Sequence, residues 1–86
     1  GPLTILYKGE QFSIDATAFY EQAYPRYFIH FFERKIPGFE QGVLVVSRRN
    51  SIWICTEKSF IHESELAASV GHAIEEFCNR SGVSEI

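Results

Sequence analysis

The sequence has no methionine, two cysteines, three prolines and one tryptophan in 86 residues. Each scarcity excludes something. Cys55 and Cys78 have no pairing motif around them, so a disulfide scaffold is not expected. No apolar run approaches the roughly 18 residues that a bilayer-spanning helix needs, and no secretory leader is present, which points to a soluble protein of cytoplasm or nucleus. Lys and Arg number 8 against 11 Asp and Glu, a net charge of −3, which argues against a surface given over to phosphate backbones. A chain without methionine that opens on Gly1-Pro2 reads as a tag scar followed by a single domain, residues 3–86, cut from a longer protein.

Catalytic chemistry is equally thin. His62-Glu63-Ser64-Glu65-Leu66 begins like a zinc-protease helix, but the second histidine is replaced by Leu66. His30, His62 and His72 are scattered, with no carboxylate or thiol at ligand spacing. Cys55 lies in an apolar run, where a thiol behaves as a small hydrophobe. Ser64 and Ser69 lack the Gly-x-Ser-x-Gly elbow. Glu75 and Glu76 are helix neighbours that point apart. Neither an enzyme nor a cofactor or metal site is expected.

The chain does hold an unusual aromatic density. Of its one Trp, four Tyr and eight Phe, seven fall between Phe19 and Phe32. Leu3–Tyr7 and Phe12–Ile14 read as a hairpin about Lys8-Gly9-Glu10. Asp15 looks like an N-cap, and the aromatic stretch reads as a helix kinked at Pro25, whose ring removes a donor and clashes one turn back. Gly42–Ser47 and Ile52–Thr56 form a second hairpin about Arg48-Arg49-Asn50-Ser51. Leu66, Val70, Ala73, Ile74 and Phe77 recur at helical spacing up to Arg80 and Gly82, the stop chemistry of a final amphipathic helix capped by Ser64. The expected fold is α+β, a two-layer sandwich in the order ββα(kinked)ββα, with a mixed four-stranded sheet and helices mainly on one face.

Strands apolar on both faces are normally covered on both. One layer of helices leaves a face around Trp53, Val43 and Val45 to be covered by something else, and Tyr20, Tyr27 and Phe32 lie at the edge of the aromatic helix. Along that helix Arg26, His30 and Arg34 align, with Lys35 adjoining, and Arg48 and Arg49 add a basic spot at the hairpin tip. The sequence therefore points to a protein-interaction or assembly domain, binding another protein or itself through the apolar face. The second reading is a small RNA-binding module using the basic residues, and the third is an inhibitor or immunity-type protein.

Overall fold

The computed structural model describes residues 2–21 and 24–82. Five strands come first: β1 (Leu3–Tyr7), β2 (Glu10–Glu21), β3 (Tyr24–Phe31), β4 (Leu44–Arg49) and β5 (Ile52–Cys55). They pair in chain order as one antiparallel sheet, and α1 (Ser64–Ser81) closes the chain. The α+β class is as expected; the order is not. The aromatic stretch is two strands rather than a kinked helix, so the sheet is wholly antiparallel with one strand more, and a single helix covers it.

Pro25 shows why a strand tolerates what a helix does not. Phe32 N–H donates to the Ser13 carbonyl and Glu21 pairs with Tyr24, so even-numbered residues of β3 bond toward β2 and odd-numbered ones toward β4. Pro25 therefore faces β4, one position past the last rung at Arg26–Ser47, where no ladder bond asks for its missing N–H. Its carbonyl accepts from Ser47 Oγ at 3.1 Å. Asp15, read as a helix cap, lies in mid-strand opposite His30.

The two predicted hairpins are present, each with a two-residue turn. Lys8 and Gly9 have φ of 51° and 79°, and Asn50 and Ser51 have φ of 52° and 67°. Both pairs have positive φ, the turn geometry that matches strand twist.

Helix α1 packs on one face of the sheet, burying Leu66, Ala67, Val70 and Ile74. It touches both edge strands, β1 and β5, so the sheet curls around it. Leu3, Ile5, Phe12, Ile14, Ile29, Leu44 and Val46 meet it in the core. The closest approach is at Gly71, where a Cβ would lie 2.0 Å from Trp53 Cγ. Only glycine lets the indole lie flat against the helix backbone. Tyr7 Oη donates to Glu63 Oε1 at 2.6 Å, and Ser69 Oγ donates to the Leu6 carbonyl at 3.0 Å, pinning β1 to the helix. The helix starts with Glu63 as its cap residue, without a side-chain cap bond, so Ser64 is its first residue rather than the cap. Gly82, left-handed at φ 71°, ends it as the sequence implied. No helix of the described residues is long and apolar enough to cross a membrane.

Candidate contact surface

One face of the sheet carries α1; among the described residues the other carries no helix. Strand alternation assigns the side chains to faces. Tyr27 is paired with Ala18 and Val46, and points to the helix side. Phe28 and His30 point away, as do Arg26, Val45, Ser47 and Arg49. This sorting divides the residues singled out by the sequence.

Trp53 belongs to the closed side. It is 8% exposed beneath Gly71, with the Tyr27 ring 5.6 Å away at 53°. Neither ring is available to a partner, which removes Trp53 and Tyr27 from the surface expected of them. Val45 is on the open side but buried: its N–H donates to Ser59 Oγ at 3.1 Å and its carbonyl accepts from Thr56 N–H at 2.9 Å. Val43, Tyr20 and Phe32 are exposed.

The basic residues do not form one stripe, because i, i+4, i+8 spacing aligns residues on a helix and not on a strand. Arg26 is buried on the open face and pairs with Glu57 at 2.9 Å. Glu57's carboxyl is held below the usual range by its own backbone N–H first, with Arg26 and then Arg49 adding to the effect. Arg34 lies beyond β3, 2.8 Å from Glu10, 2.7 Å from the Gln11 carbonyl and stacked 4.2 Å over Phe12. Arg48 points to the helix side and meets Glu75 at 3.3 Å. Arg49 lies 4.2 Å over the Tyr24 ring. His30 is exposed, edge-on to Phe32 at 4.9 Å.

What the open side brings together is an apolar patch around a recess of ≈ 220 Å³. Phe28, His30, Lys35, Phe39, Gly42 and Val43 line it. Phe28 is 45% and Val43 39% exposed. Phe60 joins them, donating its N–H to the Val43 carbonyl at 2.7 Å while the residue is 72% exposed. Gly42 makes the junction possible, since a Cβ there would meet Ile61 at 2.8 Å and Phe60 at 2.9 Å. Sequence reasoning misses Phe60, which reads as a connecting-loop residue, and Phe28, whose exposed face follows from strand alternation and not from helical spacing.

Burial pushes both the Cys55 and Cys78 thiols up, keeping them protonated. Among the described residues no three His, Cys, Asp or Glu side chains converge on a metal position. No protein-family model, curated protein or solved structure matches the chain.

Proposed function

We propose that this chain is a protein-interaction domain that receives its partner on the helix-free side of the sheet. The observation that carries the reading is the Phe28–Val43–Phe60 patch around its recess. Two phenylalanines and a valine, contiguous and exposed, lie beside a sheet whose opposite face carries α1. Clustered exposed rings around a concavity are the composition of contact sites, where aromatic anchors supply most of the binding energy. Lys35 and His30 at the same recess supply a polar rim.

The nucleic-acid reading is the weaker one. Arg26, Arg34 and Arg48 already face carboxylates, and they do so in three different directions. A phosphate backbone needs cations that share a face.

The test compares wild type with Phe28→Ser/Phe60→Ser in sedimentation across a wide concentration range and in retention of cellular proteins. The proposal expects self-association, or a discrete retained protein, that the double variant loses while its far-UV spectrum is unchanged. Association or retention identical in both proteins contradicts it.

A further inference from the structure

The turns at Lys8-Gly9 and Asn50-Ser51 share their backbone geometry and differ in their chemistry. The first joins β1 to β2 and the second joins β4 to β5, with φ positive at all four residues. Glycine takes the left-handed region at no steric cost, and the short amide of asparagine tolerates it. Serine has a Cβ that crowds the neighbouring carbonyl oxygen there, so Ser51, at φ 67°, is the strained residue of its turn. Asn-Gly is the pair that such a turn favours. Nothing local offsets the strain. Ser51 is exposed, and its hydroxyl has no hydrogen-bond partner among the described residues.

What serine has here and glycine lacks is a nucleophilic oxygen, and the flanking residues suit one reaction. Arg48 and Arg49 precede Ser51 by three and two positions, and Ile52, 63% exposed, follows it. No other serine or threonine of the sequence follows two basic residues so closely. Both cations can be drawn off the domain. Arg48 meets Glu75 at 3.3 Å with its side chain half exposed, a link worth little by itself. Arg49 lies over the Tyr24 ring, with its Nε buried and without a hydrogen-bond partner. A partner lined by carboxylates offers the acceptor that this Nε lacks. Fraying of the terminal Arg49–Ile52 rung extends the tip and relieves the strain at Ser51.

We propose that Ser51 is a phosphorylation site for a serine kinase whose substrate cleft is lined by carboxylates. Ser51 Oγ attacks the γ-phosphorus of ATP. An Oγ–P bond forms as the bond to the β,γ-bridging oxygen breaks, ADP leaves, and the hydroxyl proton passes to the kinase's base. Arg48 and Arg49 supply the charge that the cleft reads, and Ile52 supplies the apolar contact after the acceptor. The phosphoserine, with about two negative charges, then competes with Glu75 for Arg48. The site lies at the opposite end of β4 from Val43, so it does not depend on the Phe28–Val43–Phe60 patch.

The experiment incubates the intact domain with ATP, Mg²⁺ and the catalytic subunit of cAMP-dependent protein kinase, with an acid-directed casein kinase as control. Mass spectrometry should find one phosphoryl group on Ser51 from the first enzyme and none there from the second. Ser51→Ala, which removes a hydroxyl that makes no bond, keeps the fold and loses the modification. Arg48→Gln and Arg49→Gln each lower kcat/KM by about tenfold, the worth of one charge-assisted hydrogen bond. Phe60→Ser leaves the rate unchanged. Ser51→Gly raises the urea midpoint, because the strain goes with the Cβ. The chain recovered from its native cell carries a phosphate on Ser51 that a phosphatase removes. Transfer to a free peptide of residues 46–54 but not to the folded domain overturns the proposal, since the turn then withholds the hydroxyl. So do transfer indifferent to the arginine variants, a midpoint that falls in Ser51→Gly, and a native chain without phosphate on Ser51.

Discussion

The two faces of the sheet are built from the same kinds of residue to opposite ends. On the helix side large side chains are matched by small ones: Trp53 lies on Gly71, and Ala67 sits among Leu66 and Val70 with almost no exposure. On the helix-free side the large side chains have no such complement, and Phe28, Val43 and Phe60 remain in water. Burial of a ring by the chain's own glycine is a stability device. A ring left out beside a recess is available for contact. The comparison teaches that aromatic density alone does not locate a surface; the residue facing each ring does.

The largest effect expected on this contrast is at Trp53. Trp53→Ala empties the space under the helix and lowers stability by about 3–5 kcal/mol, read as a shift in urea midpoint. Gly71→Ala attacks the same contact from the other side. Its new Cβ is driven into the indole, and a loss of about 1–3 kcal/mol is expected in the same titration. An unchanged midpoint for Gly71→Ala means that the helix does not press on Trp53.

A smaller effect belongs to the link between β1 and the helix start. The hydrogen bond to Glu63, followed by burial, pushes the Tyr7 phenol up from 10.0 to about 12. Folding therefore favours the protonated phenol. This contribution is fully present below pH 10 and is lost as pH rises from 10 to about 12. Tyr27, pushed up mainly by burial, acts with the same sign. Tyr7→Phe should cost about 1 kcal/mol near neutrality and flatten the alkaline decline of stability. A decline as steep as that of wild type rules out Tyr7 as its source.

The smallest effect on stability should be at Phe60. Phe60→Ser is expected to move the midpoint by no more than about 0.5 kcal/mol, because the ring is mostly in water already. A loss comparable to Trp53→Ala erases the distinction between the faces.

The halves of the chain differed in how much their residues disclosed. The β4–β5 hairpin and α1 were legible because their signals are local: Asn50 in a two-residue turn, Leu66, Val70 and Ile74 at helical spacing, Gly82 at the stop. The β2–β3 hairpin was not. Phe19-Tyr20 and Phe31-Phe32 put rings on adjacent positions, which satisfies either period, and Gln22-Ala23 offers none of the Gly, Asn, Asp or Pro chemistry that marks a turn. Pro25 reads as a helix kink because its tolerance in a strand depends on which neighbour its nitrogen faces, and that is set only by the ladder. The site inherited the error. The basic residues align on an imagined helix and separate on the real sheet, and the face expected to lie uncovered, that of Trp53, is the one α1 covers.

The central claim is that contact happens on the helix-free side. Its most direct test places a photo-reactive phenylalanine analogue at position 60 or, as a control, at the exposed His72 of α1, and irradiates the protein in its native cell. The account predicts a discrete cross-linked product from position 60 that is absent from position 72 and is suppressed when Phe28→Ser is added. Cross-linking from position 72 alone, or equal yields from both positions, contradicts it.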